Sequence, residues 1–132
     1  MDSLPGPFTI EINGQPISKL NGPLQTSNAG YFRGQHAQTG PEPAVFQLRE
    51  HRLISDGHIL TRDMVEDMSL MPKRVFWFEA QNHQTHHRVQ AENKGNGYSL
   101  TMSGSTLAVR DGAIYADIIN QQPETVVVKM LA

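Results

Sequence analysis

Cysteine is missing from the sequence. Its absence excludes disulfides, thiolate metal sites and a cysteine nucleophile, and it fits a reducing compartment. A basic excess is missing too, since the formal net charge is −2 with the histidines neutral. Nothing in that balance would neutralise a phosphate backbone, so nucleic acid is set aside as a partner. No apolar run approaches membrane-spanning length, which sets a membrane aside as well. The first seven residues, Met1 to Pro7, lack the charged-then-apolar order of a secretory signal. The expectation is a soluble protein, cytoplasmic or exported without such a signal. Also absent is a Gly-x-Ser-x-Gly elbow, which marks one large class of hydrolases. The only close carboxylates are the adjacent Glu66 and Asp67, which would point apart on a strand. No cofactor motif appears and no cofactor is expected. A non-enzymatic role is the leading reading.

What is present is turn chemistry. Glycine (11) and proline (8) are plentiful against 38 % apolar residues. That mixture suits a turn-rich all-β protein better than a helical bundle. The 132 residues fit one domain, read as 1–132. Phe8 to Ile12 alternates with period two and runs into Asn13-Gly14, a strong hairpin signal. Pro16 to Leu20 reads as the return strand. Strands are expected at Val45–Leu48, Arg52–Ile54 and His58–Leu60, with a turn at Asp56-Gly57. Thr61 to Met71 carries apolar residues at helical spacing, so a short helix is expected there. Val75 to Phe78 (Val-Phe-Trp-Phe) is the densest apolar block and holds the only tryptophan. Four large apolar residues in a row predict a strand covered on both faces, with Trp77 in the core. A weak strand at His87–Glu92 and a meander from Tyr98 to Leu131 complete the reading. Asn21 to Pro43 has no periodicity and reads as a long loop.

Two segments echo one another. Phe46-x-Leu48, Asp56-Gly57 and Pro72-x-x-Val75 recur as Tyr98-x-Leu100, Asp111-Gly112 and Pro123-x-x-Val126. A third echo matches Phe8-x-Ile10-x-x-x-Gly14-x-x-Ile17 with Tyr98-x-Leu100-x-x-x-Gly104-x-x-Leu107. This pattern resembles a β-trefoil. The resemblance implies a barrel of about twelve short strands with a pseudo-threefold repeat, because one unit cannot bury its apolar face alone. A β-sandwich or another small β-barrel is the alternative. In this reading Val75 to Phe78 closes a repeat unit.

Two functions follow from that resemblance. A lectin-like recognition module would bind a glycan or a protein through its loops. Amides and aromatics supply the donors, acceptors and flat faces that such ligands need. The candidates are Tyr31, Arg33, Asn82, Gln84, Asn120 and Gln121. The Gln-x-Trp of ricin-type lectins is lacking, since Phe76 precedes Trp77 and Val75 comes before that. The alternative implied by trefoil inhibitors is a protease inhibitor acting through the 22–43 loop, with Arg33 offered to a trypsin-like pocket. A third reading is a metal-dependent enzyme. His83, His86 and His87 lie within five residues, and imidazoles bind Zn or Ni. A polar loop with adventitious metal affinity is the simpler account, because no carboxylate lies within that cluster.

Overall fold

A computed structural model describes residues 1–20, 34–62, 72–79, 88–95, 97–118 and 124–131. Among them are twelve strands and no helix. The strands are β1 (Phe8–Ile12), β2 (Gln15–Pro16), β3 (Gly34–His36), β4 (Gln47–Arg49), β5 (Arg52–Ser55) and β6 (His58–Arg62). Then come β7 (Lys73–Glu79), β8 (Val89–Asn93), β9 (Tyr98–Met102), β10 (Thr106–Arg110), β11 (Ala113–Asp117) and β12 (Val126–Met130). The helix expected over Thr61–Met71 falls outside the described residues except for Thr61 and Arg62, which end β6.

Strand β7 is the centre. One edge pairs with β6, from His58↔Glu79 to Arg62↔Val75. The other edge is shared. Residues Phe76–Phe78 pair with β3, while Lys73 and Arg74 pair with β11. The three strands meet where Ala37 N–H donates to Val75 O (2.9 Å) and Ile114 N–H donates to Ala37 O (2.9 Å). Val75, Phe76, Trp77 and Phe78 are all buried, so both faces of the strand are covered as its composition predicts. Trp77 is 2 % exposed. Its ring lies parallel to Phe46 at 5.7 Å, and Phe46 stacks in turn on Phe8 at 6.2 Å. Ile10, Ile12, Leu48, Leu53, Leu60, Leu100, Leu107 and Ile114 pack into the same core.

The ladders form three sheets and do not close into a continuous barrel. One is β12-β1-β2, one is β8-β9, and the seven-stranded one runs β10-β11-β7-β6-β5-β4 with β3 on β7. The chain before β1 runs beside β4, with Leu4 N–H on Leu48 O and Phe8 exchanging bonds with Phe46. The Phe8–Phe46 contact is an isolated bridge. Individual bonds still join the sheets elsewhere. Val89 N–H of β8 donates to His51 O beside β5 (3.0 Å), and β12 packs along β9.

Two sequence expectations need correction. First, the 22–43 stretch is not all loop. Gly34–His36 is a strand, Gln38 bridges Ala113, and Thr39 bridges Ile17. Gly-Gln-His has no apolar signature, because backbone pairing with the apolar β7 makes this strand. Second, the echo of 46–75 in 98–126 is out of phase by one strand, while the echo of 8–17 in 98–107 is in phase. Asp56-Gly57 joins β5 to β6, but Asp111-Gly112 joins β10 to β11. Likewise β7 pairs back onto β6, whereas β12 pairs with β1. Val75–Phe78 is therefore a central strand, not a closing one. The spacing that recurs in phase is Ile10-x3-Gly14-x2-Ile17, Leu53-x3-Gly57-x2-Leu60 and Leu100-x3-Gly104-x2-Leu107, and all six apolar residues are buried. Each hinges on a two-residue turn with both φ angles positive: 52° and 83° at Asn13-Gly14, 49° and 78° at Asp56-Gly57, and 49° and 82° at Ser103-Gly104. That is the type I′ geometry that matches strand twist.

The Phe46–Trp77 stack predicts a large local cost. Phe46→Ala should lower unfolding free energy by about 3–5 kcal/mol, the usual range for emptying a buried phenylalanine site. Urea titration followed by Trp77 fluorescence measures it. A loss below about 1 kcal/mol would mean that the stack is not central to stability.

Candidate functional site

All the candidate ligand and metal residues lie outside the described residues. Tyr31 and Arg33 belong to 21–33. Asn82, His83, Gln84, His86 and His87 belong to 80–87. Asn120 and Gln121 belong to 119–123. The structure instead defines the stems from which these segments leave.

The first stem of 21–33 is built on backbone bonds. Ser18 N–H donates to Gln38 O (2.9 Å), and Lys19 N–H donates to Glu42 O (2.8 Å). Its second stem is β3, with Gly34 opposite Phe78 and Gln35 opposite Trp77. One residue beyond Phe78 is Glu79, the last described position before 80–87. So the stems next to Arg33 and Asn82 stand side by side at one end of β7. The stem of 119–123 stands elsewhere. β11 meets β7 at Lys73 and Arg74, the opposite end of a seven-residue strand. Such a strand is about 20 Å long. The six ligand candidates thus do not branch from one place.

A cavity of about 550 Å³ opens at the end that holds Glu79. It is lined by Lys19, Leu20, Pro43, Val45, Ser55, Asp56, His58 and Trp77. His58 stands edge-on to Trp77 at 6.5 Å. Val45 is 48 % exposed, because Ala44 and Phe46 on either side turn inward. Sequence reading assigned Asp56 and His58 to a turn and a strand. It had no signal for the cavity, which is assembled from four separate stretches of chain.

The far stem of 119–123 is a carboxylate clamp. Glu124 is only 13 % exposed and forms an ion pair with Arg110 Nη1. Its Oε2 also accepts from Val109 N–H (2.9 Å) and from Asn13 Nδ2 (3.0 Å). Asn13 Oδ1 then accepts from Thr125 N–H (3.1 Å). The start of β12, the β1–β2 turn and β10 are tied together through these two side chains.

His36, two residues past Gly34, wedges between the three central strands. Its Nε2–H donates to Ile114 O at 2.7 Å. The ring lies edge-on to Tyr115 at 4.9 Å and tilted against Phe76 at 5.4 Å. The Arg74 guanidinium sits over the Phe76 ring at 5.1 Å. Burial is the main effect and pushes the imidazole pKa below 6.5; Arg74 pushes the same way, and the Ile114 carbonyl opposes them. Among the described residues no group of three or more His, Asp or Glu is arranged to hold a metal ion.

Comparison with known proteins gives one result. The profile of the family described as Peptidase inhibitor I66 matches residues 42–129. Neither a curated protein nor a solved structure matches the chain.

The His36 environment predicts a pH dependence with a definite sign. The unfolded chain binds the proton more readily than the folded one, so stability is complete above pH 6.5 and falls as pH drops below it. Denaturation midpoints measured across this range should decline more steeply for the native protein than for His36→Gln. Parallel declines would assign the effect to other groups.

Proposed function

Since the chain belongs to the peptidase inhibitor I66 family, we propose that it inhibits a peptidase, and that its partner is therefore a protein. The observation that carries this reading is the family match. The glycan reading rested on the trefoil resemblance and on amides and aromatics in the loops, and no comparison supports it.

The contact we propose is the 21–33 segment, with Arg33 entering a trypsin-like pocket. Arg33 precedes the first residue matched to the family, so this assignment rests on chemistry. A guanidinium can form a bidentate pair with the carboxylate at the base of such a pocket. Association also costs the ordering of whatever is loose at the interface. Both stems of 21–33 are already held, by Gln38 and Glu42 on one side and by β7 on the other. A contact segment carried on fixed stems loses less freedom on binding than a free peptide of the same sequence.

The fold reading goes with this. We infer a β-trefoil arrangement, in which β1, β4, β5, β8, β9 and β12 form the barrel wall and the other six strands cap it. Three in-phase hairpins support it, as do the Phe8–Phe46 bridge, the Val89–His51 bond and the junction of β3, β7 and β11.

Inhibition assays test the function. The purified chain should inhibit at least one endopeptidase in a panel spanning the serine, cysteine, aspartic and metallo classes, and silence across it would refute the proposal. Arg33→Ala should then weaken inhibition of a trypsin-like enzyme by roughly 30-fold or more, as for a central anchor residue, while Arg33→Lys keeps most of it. An unchanged inhibition constant in Arg33→Ala would move the contact to another segment.

A further inference from the structure

Among the described residues, five two-residue turns have a positive φ at both positions. They begin with Asn13, Glu50, Asp56, Ser103 and Asp111, and all but Glu50 are followed by glycine. Asn13 is the one asparagine among them, and both ends of its carboxamide are used. Nδ2 donates to Glu124 Oε2 at 3.0 Å, and Oδ1 accepts from Thr125 N–H at 3.1 Å. An aspartate here would set one carboxylate against another, with an acceptor where a donor is needed. Glu124 is already committed to Val109 and Arg110 and is poorly exposed, so that repulsion would be weakly screened.

Asparagine followed by glycine is also the pair most open to backbone attack on a side-chain amide. Glycine has no Cβ to hinder the approach, and nothing lies within 4 Å of where one would stand on Gly14. In that reaction the Gly14 nitrogen gives up its proton and bonds to Cγ of Asn13. The Cγ–Nδ2 bond breaks, and ammonia leaves with the proton. The resulting five-membered imide then adds water. Opening at one carbonyl gives aspartate, and opening at the other gives an isoaspartyl linkage with an extra carbon in the main chain. No oxidant or reductant is involved. In the folded turn the amide is held at both ends, by Glu124 Oε2 and by Thr125 N–H, so attack requires it to leave both partners.

We propose that Asn13 is a latent deamidation site that the Glu124 clamp suppresses, and that its product breaks the same clamp. Aspartate at 13 loses the bond to Glu124 and repels it. The isoaspartyl form lengthens a two-residue turn whose register pairs Ile12 with Gln15. Either product cuts the side-chain tie between the β1–β2 turn and Glu124, leaving only main-chain bonds to hold the start of β12 on β1. The reaction therefore proceeds through local opening of the clamp and then holds it open.

Peptide mapping by mass spectrometry tests this, after the intact protein is incubated in mildly alkaline buffer. A synthetic peptide covering residues 8–20 sets the unprotected rate. The folded chain should react at least tenfold more slowly than that peptide, and Glu124→Ala should restore roughly tenfold of the rate. If Glu124→Ala does not fold, Glu124→Gln removes the charge and keeps the shape, and it should fall between the two. Thermal unfolding of Asn13→Asp reads the consequence, and its midpoint should lie below that of the native protein. Equal rates in the folded chain and the peptide would overturn the proposal. So would a Glu124 variant that reacts at the native rate, or an Asn13→Asp protein as stable as the native one.

Discussion

Strand β7 has hydrogen-bonded neighbours along both edges and apolar cover on both faces, a combination open only to a central strand. Its composition makes that placement obligatory. Val-Phe-Trp-Phe leaves no polar side chain to face water, so each residue must be buried by something else. One face receives Phe46 and, behind it, Phe8. One edge receives β6, and the other is divided between β3 and β11. Strands from three distant parts of the chain are thereby fixed around one segment. Buried arginine follows the same logic at the end of β6. Arg62 Nη1 donates to Ser105 Oγ and Met102 O, linking that end to the β9–β10 turn.

How much of this was legible depended on the kind of signal. Where strand and turn are both encoded locally, the reading held. Phe8–Ile12 with Asn13-Gly14, and Tyr98–Met102 with Ser103-Gly104, appear where expected. Burial of Trp77 was legible for the same reason. Gly34–His36 was not, because its strand character comes from β7 and not from its own residues. The phase of the repeat was misread through a coincidence of turn chemistry. Asp-Gly serves at 56–57 and at 111–112 in turns that join different strand pairs, and the dipeptide carries no record of which. The in-phase marker, an apolar residue four before the turn glycine and another three after it, was legible at 10–17 and 100–107 and overlooked at 53–60.

The candidate site was legible only as chemistry. Arg33 and the histidines could be named from sequence, but not what stands beside them. Pairing of Gly34 with Phe78 puts the stems of 21–33 and 80–87 at one end of β7, and pairing of Ala116 with Lys73 puts that of 119–123 toward the other. Those juxtapositions arise from pairings between residues more than forty positions apart, which no local pattern encodes. The Glu124 clamp is similar. Asn13 and Glu124 are 111 residues apart, and each alone looks like an ordinary turn or surface residue.

Among the described residues, main-chain bonds hold the stems of 21–33: Ser18 to Gln38, Lys19 to Glu42, and the β3–β7 ladder. Main-chain bonds are blind to side-chain identity. The side chains at 18, 19 and 35 can therefore change without breaking these bonds, while Phe46 and Trp77 cannot change without disturbing the core. Drift at these stems and constancy in the interior would then be two faces of the same construction.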